Sequence, residues 1–318
     1  MPITDKHSIL ITGACGFVGQ QLVSRLLENT LATLLICCRD KNKFPKPDKR
    51  LVFLEADLLR PNSFGSIFQQ YKPNHIIHLA ALARFRQGEE KPELAIQTNF
   101  YGSRFLIDLA IKHKVESFLF LSSNLAREPK SVVGITKLLT ENYIQQQVST
   151  CTRLMTLRLP NVPDSPGSVT LIFKKQIDNN EDITITHPEM SRVFVNRDEA
   201  AKYILFMLEN GKNKETYVIS KAAQKITDLA QQMIKESGKG IGIKYIGMKP
   251  GEKLEEEPYQ AENLKETEIS GLSLFTKNQP DKQEIENSIA ILQNKLSPAN
   301  GKAGQKTIKL IKKELSLN

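Results

Sequence analysis

The residues best suited to chemistry are the glycines of the run Thr12-Gly13-Ala14-Cys15-Gly16-Phe17-Val18-Gly19. The run follows an apolar, β-branched stretch and opens an amphipathic one, which predicts a strand, a tight turn and a helix. In that setting the first glycine permits the turn, the second lets the backbone approach a pyrophosphate, and the third allows close packing of helix on strand. The helix N-terminus then offers N–H groups to the anion. We predict a dinucleotide-binding loop, with a plain strand-to-helix turn as the alternative. The loop residues expected to contact the dinucleotide are Gly13, Cys15, Gly16, Phe17, Val18 and Gly19.

The residues after the second predicted strand bear on which dinucleotide binds. Asp40 lies about 20 residues beyond the last glycine, where a carboxylate binds the adenosine ribose of NAD. Arg39 precedes it, and an arginine here accommodates the 2′-phosphate of NADP. Lys41 and Lys43 add positive charge. The sequence therefore favours NADP over NAD, with a solvated basic turn as the alternative.

The elements that must position this loop follow an alternating pattern of apolar runs and helical segments in the first half of the chain. This pattern is typical of an α/β fold with a doubly wound, Rossmann-type parallel sheet. The predicted strands are Ser8–Thr12, Ala32–Cys38, Leu51–Glu55, His75–Leu79, Ser117–Leu121 and Leu154–Leu159, and the predicted helices Phe17–Glu28, Asn62–Tyr71, Glu93–His113 and Val132–Gln147.

The domain organisation changes after Pro160, where prolines and glycines interrupt the alternation. We predict a dinucleotide-binding domain over residues 1–160, to which 193–220 returns. A smaller C-terminal lobe, the expected substrate lobe, takes 161–192 and 221–280, and a basic helical tail takes 281–318.

Composition and charge exclude several classes of protein. Among 318 residues, 40% are hydrophobic and 25% charged, which is unlike a disordered, collagen-like or disulfide-stapled chain. The net charge of +9 is scattered, and without tryptophan or a recognition motif it does not predict nucleic-acid binding. It suits a phosphorylated small molecule better. No apolar run approaches the ~18 residues of a membrane span and no leader is visible, so a cytoplasmic protein is expected.

The four cysteines show no metal-binding spacing. Cys37 and Cys38 lie inside an apolar run and are expected to be packed thiols, whereas Cys15 and Cys151 stand apart. The sequence predicts no metal site and a reducing compartment.

Several further motifs carry a family resemblance. Asp57 after the third predicted strand, His78-Leu79-Ala80-Ala81 after the fourth and Asn99-x-x-Gly102 resemble the extended short-chain dehydrogenase/reductase superfamily. Four later blocks are similar to those of its bacterial polysaccharide-biosynthesis branch, which includes inverting UDP-N-acetylglucosamine 4,6-dehydratases and nucleotide-sugar epimerases: Ser122–Lys137, Arg158–Val169, Pro188–Ala201 and Gly247–Glu256. The resemblance covers roughly residues 8–275.

The resemblance implies specific contacts with cofactor and substrate. An arginine can donate two parallel hydrogen bonds to a diphosphate, and a carboxylate can accept hydrogen bonds from both ribose hydroxyls. Residues of these two types therefore suit a UDP-sugar. The family also implies a homo-oligomer paired through the helices Glu93–His113 and Val132–Gln147. Further cofactor contacts implied are Asp57, Leu58, Leu79, Ala80, Ala81, Asn99 and Lys137, and substrate contacts are Asn161, Arg192, Glu252 and Arg84, with Arg86 beside it.

The catalytic positions depart from the family pattern. The superfamily uses a Ser/Thr, a tyrosine and a lysine to activate the sugar's C4 hydroxyl, and the dehydratases add an Asp-Lys pair for elimination. Here Ser123 and Lys137 remain, Asn124-Leu125 replaces the Asp-Lys pair, and Val133 stands where tyrosine is usual and some members have methionine. Because general acid–base groups each contribute about 10²–10⁴ in rate, their loss should weaken standard 4,6-dehydration drastically.

Two functions are therefore open. The first is an NAD(P)-dependent enzyme of the dehydratase/epimerase type that acts on a UDP-sugar in surface polysaccharide or glycan biosynthesis, with Ser123, Asn124 and Lys137 at its catalytic centre. Lys137 itself, Tyr101 or a substrate hydroxyl would then replace the missing groups, although Tyr101 suits a packed helix residue better. The second is a catalytically weakened protein that binds cofactor and nucleotide-sugar in a regulatory or partner role.

Overall fold

A nine-stranded, mostly parallel sheet forms the centre of the computed structural model. The structure describes residues 3–38, 44, 48–248, 252–256, 259–277 and 282–315, with backbone only for Pro61, 297–306 and Glu314. The strands in these ranges are β1 Ser8–Thr12, β2 Thr33–Cys37, β3 Leu51–Leu54, β4 His75–His78, β5 Ser117–Ser123, β6 Arg153–Leu159, β7 Ile183–Ile185, β8 Ser191–Val193, β9 Thr216–Ile219, β10 Ala223–Lys225, β11 Ile243–Tyr245, β12 Leu264–Glu266 and β13 Leu272–Phe275.

The strand order confirms the predicted doubly wound sheet. It reads β12-β13-β9-β6-β5-β4-β1-β2-β3, parallel from β9 to β3 and antiparallel at β12 and β13. The segment from β3 to β6 has the order typical of a Rossmann fold, which reverses direction between β1 and β4. Ligands of such sheets bind beyond the carboxyl ends of the strands at this reversal.

Helices cover both faces of the sheet, which explains why its central strands are apolar on both sides. The helices are α1 Phe17–Asn29, α2 Gly65–Tyr71, α3 Phe85–Glu90, α4 Pro92–Ala95, α5 Gly102–Lys112, α6 Val132–Gln146, α7 Val169–Asp178, α8 Arg197–Asn210, α9 Ile226–Ser237 and α10 Lys282–Glu314. A π-helical stretch, Ile96–Tyr101, joins α4 to α5. One apolar core lies under α1 and α8, and the other under α2, α5, α6 and α10.

A smaller cluster of elements stands beside the main sheet. It contains two short sheets, β8 with β10 and β7 with β11, together with α7 and α9. Its own core includes Phe173, Ile183 and Ile185. The segment that follows β8 returns to the main sheet through α8 and β9.

The long helix α10 packs over α6. Its residues Ile289 and Leu292 are almost fully buried in the same core as α6. Gln146 at the end of α6 donates a hydrogen bond to the carbonyl of Leu315, 3.1 Å away. The α6 helix is consequently buried over nearly its whole length within this chain.

Candidate functional site

The glycine loop lies at the reversal point of the sheet, directly against the end of β4. Gly13 has φ of +73°, and a Cβ there would lie 2.6 Å from the backbone nitrogen of Ala80. The Leu79 N–H donates to the Thr12 carbonyl at 3.1 Å, and the Ala80 N–H donates to the Thr12 hydroxyl at 3.3 Å. Only glycine fits such a close approach at positive φ.

The same loop opens the helix α1 in a form that fits a pyrophosphate. A Cβ on Gly19 would run into the carbonyl oxygens of Gly13 and Ala14, so the helix and loop are in direct backbone contact. Within the described residues, no side chain caps α1 at Gly16 and no acidic residue stands in its first turn. The helix N-terminus therefore keeps its positive end available to an anion.

A buried polar network fixes the two strand ends to each other. The His78 ring accepts or donates hydrogen bonds at both nitrogens, to the Thr12 hydroxyl at 2.6 Å and to the Ser103 hydroxyl at 2.7 Å. Burial, with the charge of Lys137, lowers the pKa of His78 to about 3, so the ring is neutral. A neutral ring with both nitrogens bonded positions the strand ends and is not set up to transfer a proton.

Asn99 lies in the π-helical stretch and holds the chain after β4. Its amide accepts the Leu82 N–H at 2.7 Å and donates to the Leu82 carbonyl and to the Thr136 hydroxyl, both at 3.1 Å. The side chain is fully buried. All three of these bonds are to protein, so they support a positioning role, and a direct cofactor contact by Asn99 stays a prediction.

The predicted contacts after β3 are also used within the chain. The Asp57 carboxylate accepts the Leu59 N–H at 3.0 Å and shapes its own turn. Leu58 is buried, and a Cβ on Gly102 would lie 2.8 Å from the Leu58 Cβ. Leu58 therefore packs this turn against the start of α5, while Asp57 is exposed at the sheet edge.

Cys15 and Cys38 form a disulfide, with their Cα atoms 5.6 Å apart. This corrects the expectation that Cys38 is a packed thiol. The sequence pattern missed the pair because the two residues are distant in the chain and meet only when β1 and β2 align. Cys37 is a buried free thiol, as expected. Arg39 and Asp40, predicted to select NADP or NAD, lie outside the described residues.

The predicted catalytic residues surround the carboxyl end of β5. The Ser123 hydroxyl accepts the Leu125 N–H at 3.2 Å and caps the short turn that follows. The Asn124 amide donates to Glu256 at 3.3 Å, and its oxygen accepts from the Tyr259 hydroxyl at 3.4 Å. Asn124 is therefore held by groups from the last part of the chain.

Lys137 is buried on α6 and points at β5. Its ammonium donates to the Leu121 carbonyl at 2.6 Å and lies 4.5 Å from the centre of the Phe120 ring. Burial lowers the pKa of Lys137 to about 7, although the charge of Glu141 opposes this. A lysine with this pKa exchanges protons at neutral pH.

Val133 lies one helical turn before Lys137, where the family usually has tyrosine. Its side chain is buried, and a Cβ on Gly88 of α3 would come within 2.5 Å of its Cγ2. The N–H of Val132, at the start of α6, donates to the Glu89 carboxylate of α3 at 2.8 Å. Thus α3, an element that the sequence analysis did not predict, closes over this position.

Glu256 connects the predicted catalytic and substrate residues, although sequence reasoning did not single it out. Besides Asn124, its carboxylate accepts from the Asn161 amide at 3.0 Å and from the Val193 N–H at 3.1 Å. It also lies 4.0 Å from the Arg192 guanidinium. The only available signal was its place at the end of the Gly247–Glu256 block.

Arg192 is held by the segment that carries Glu252. Its guanidinium donates to the carbonyls of Lys253 and Leu254 at 2.7 and 3.2 Å. Burial lowers the pKa of Arg192, while the charges of Glu256 and Glu252 oppose this. Asn161, Arg192 and Glu252, predicted from separate blocks, are thereby brought to one region.

A cleft of about 330 Å³ opens beside these residues. Lys253 lines it and donates to the Arg127 carbonyl. Sequence reasoning also missed Tyr259. The Arg127 guanidinium carbon lies over the Tyr259 ring, 5.0 Å from the ring centre. Burial raises the pKa of Tyr259, so its hydroxyl stays protonated. The cleft is polar, and its lining carries three cationic side chains, Arg127, Lys130 and Lys253, beside three carboxylates, Glu128, Glu255 and Glu256.

The predicted substrate residue Arg84, its neighbour Arg86 and the possible replacement base Tyr101 do not line this cleft. Arg84 precedes α3 and is exposed, and Arg86 forms an exposed ion pair with Glu90 at 2.8 Å. Tyr101 packs its ring against Phe100, 5.2 Å between centres. The packing of Tyr101 agrees with a core residue.

A second group of polar side chains lies at the amino-terminal ends of β1, β4 and β5, whereas the glycine loop and Ser123 lie at the carboxyl ends. His7, His75 and Glu116 have potential ligand atoms within 4.8 Å of one another. His7 Nδ1 accepts the Thr4 N–H at 2.9 Å, and the Nε2 atoms of His7 and His75 each lie 3.9 Å from the Glu116 carboxylate, beyond hydrogen-bond distance.

Comparisons with known proteins identify the family of the chain. The family model described as polysaccharide biosynthesis protein matches residues 9–276. CapD, a capsular polysaccharide biosynthesis protein of Staphylococcus aureus, is 31% identical over 271 residues, which cover 80% of this chain and 45% of CapD. The chain thus spans about half the length of that relative. The UDP-glucose 4-epimerase of Rickettsia canadensis is 29% identical over 280 residues, covering 84% of this chain and 81% of the epimerase.

Solved structures share the fold. Pen from Bacillus thuringiensis superposes with a TM-score of 0.77 and 26% identity, over 92% of this chain and 98% of Pen. Of the helices in the described part of the chain, none combines the length and apolar character that crossing a bilayer requires.

Proposed function

Because the chain belongs to the polysaccharide biosynthesis protein family, we propose that it is an NAD(P)-dependent enzyme acting on a UDP-sugar. We propose further that it inverts C4 of the sugar, as a 4-epimerase does, and does not carry out 4,6-dehydration. Surface polysaccharide or glycan assembly would consume the product.

The observation that carries this proposal is the state of Lys137. It is buried beside the end of β5 and its pKa is lowered to about 7. A neutral lysine that donates one hydrogen to the Leu121 carbonyl keeps its lone pair for the proton of a sugar hydroxyl. Such a group supports oxidation at C4 and return of the proton when the ketone is reduced.

The elimination step has no comparable support. Dehydration needs a proton removed next to the ketone and a proton given to the leaving hydroxyl. Leu125 packs against the apolar core and carries no proton, and Asn124 is a neutral amide bonded to Glu256 and Tyr259. An epimerase needs neither group.

The Gly13–Gly19 loop would hold the dinucleotide, whose nicotinamide supplies the hydride acceptor when bound. Lys137 would orient the nicotinamide ribose as well as accept the sugar's proton. Arg39 favours NADP, so both dinucleotides belong in any test. Asn161, Arg192 and Glu252, together with Lys253 of the cleft, would bind the nucleotide part of the UDP-sugar, since cations and amides suit a diphosphate.

The test is incubation of the purified protein with UDP-glucose or UDP-N-acetylglucosamine and each dinucleotide, followed by proton NMR. We expect the C4 epimer without a 4-keto-6-deoxy sugar. A 4-keto-6-deoxy product would overturn the choice of epimerisation. Binding of both ligands with no product from any sugar would favour the second function below.

That second function is a protein that binds both ligands without turnover. The packing of α3 over Val133 favours this binding function, because a buried aliphatic side chain occupies the position where the family usually has tyrosine. The variant N124D/L125K/V133Y, with V133M as a smaller change at the crowded position, discriminates. A large gain in turnover over the wild type would support the binding role, and a wild type that already turns over as fast as the triple variant would overturn it.

A further inference from the structure

The disulfide between Cys15 and Cys38 crosses the predicted dinucleotide site. Cys15 lies inside the glycine loop, and Cys38 directly follows β2. Strands β1 and β2 run parallel in register, with Thr12 opposite Cys37, so the two segments leave the same edge of the sheet. The Cα separation of 5.6 Å lies within the range that a disulfide spans without moving the backbone.

This position has consequences for a bound dinucleotide. In the Rossmann arrangement the pyrophosphate lies on the glycine loop and the adenosine ribose lies at the end of β2. The atoms that join them must pass between these two segments. A covalent bridge from Cys15 to Cys38 joins these two segments and would cross that passage.

We propose that Cys15 and Cys38 form a thiol–disulfide exchange site that controls access of the dinucleotide, with the reduced form competent to bind. This inference rests on the proposed function. The co-reactant is a low-molecular-weight disulfide of the glutathione class. One protein thiolate attacks it and releases one small thiol; the second protein thiolate then attacks the mixed disulfide and releases the other. Two protein thiols are oxidised, and one small disulfide is reduced to two thiols.

The surroundings of the four cysteines agree with selective exchange at this pair. Cys15 and Cys38 are both partly accessible. Cys37 points to the opposite face of β2 into the other core, and its burial raises the pKa of its thiol to about 12, so it does not compete. Cys151 is exposed but lies just before β6, away from the loop. It supplies a matched control.

The experiment compares full-length protein reduced by a dithiol with the same protein equilibrated with oxidised glutathione. Peptide mass mapping should show the Cys15 and Cys38 peptides linked after oxidation. Titration calorimetry with NAD and NADP should show binding to the reduced protein and a Kd about tenfold weaker, or more, after oxidation. Renewed reduction should restore the affinity.

Two variants isolate the effect. C38S serves as its own reference: oxidation should not change its Kd for the dinucleotide relative to reduced C38S, in the fraction that mass spectrometry shows to be free of glutathione adduct. C151S should keep the full redox response.

Each other outcome overturns the inference. Failure of the two peptides to link, or equal or tighter binding after oxidation, overturns it while leaving the proposed function intact. Absence of binding by the reduced wild type overturns both.

Discussion

Lys137 and Val133 occupy neighbouring turns on one side of α6, yet only one of them can move a proton. The lysine is buried enough to titrate near neutrality, whereas the valine packs under Gly88. Under the proposed function, the proton chemistry would depend on Lys137, which lies on α6 beside the end of β5. Two predictions belong to this scale.

The first prediction concerns Lys137. Because the neutral amine is the base, kcat/KM for epimerisation should fall as the pH drops below about 7. Lys137→Met should lose about 10²–10⁴ in rate. Lys137→Arg should fail as well, since arginine stays charged and cannot accept a proton. The exposed Lys235→Met serves as the control, and full activity of Lys137→Met would contradict the assignment.

The second prediction concerns stability in acid. Burial lowers the pKa of His75 to about 4, against about 6.5 in an unfolded chain. The unfolded state therefore binds more protons between these values, so the free energy of unfolding falls as the pH drops from 6.5 to 4. His75 accounts for up to about 3 kcal/mol of this fall in the free energy of unfolding. Denaturant titrations of His75→Asn should show a shallower pH slope than the wild type; an identical slope would refute this, with the exposed His113→Asn as control.

At the scale of elements, the glycine loop and α1 are joined through backbone contacts that leave no room for a side chain. Gly19→Ala should cost about 1–3 kcal/mol through overpacking, and it should weaken dinucleotide binding because the loop must move. The matched control is Gly65→Ala in α2, where a Cβ would meet nothing within 4 Å. That change should be neutral or stabilising, by about 0.4–1 kcal/mol. Thermal unfolding and calorimetry measure both, and equal behaviour of the two variants would contradict the packing argument.

The elements also show what the sequence could predict. Strands β1 to β6 follow their apolar runs within one or two residues, because a strand covered on both faces has few alternatives. The helix α3 was missed because it has only six residues, four of them polar, and is too short for a periodic signal. Glu256, Tyr259 and the Cys15–Cys38 pair were missed because each depends on contacts between distant parts of the chain. Local patterns carry no information about such contacts.

At the scale of the whole molecule, α10 packs over α6, one of the two helices predicted to pair two subunits. Pairing through α6 would require α10 to move. The outer side of α5 remains partly exposed and carries the apolar residues Phe105 and Leu109. A homo-oligomer, which we still predict, would accordingly use α5.

Light scattering tests this assembly. At micromolar concentration the wild type should exceed the 35.8 kDa of one chain, and Phe105→Asp should return it to that mass. Exposed Lys112→Asp at the end of the same helix is the control for charge. A wild type that scatters as a single chain would contradict the prediction.

The proposed function requires one chain to hold two nucleotides side by side. Titration calorimetry of the reduced protein, first with a nicotinamide dinucleotide and then with UDP, examines this requirement directly. We expect one site for each ligand, with the second binding in the presence of the first. Absence of heat with NAD, NADP and UDP alike would contradict it.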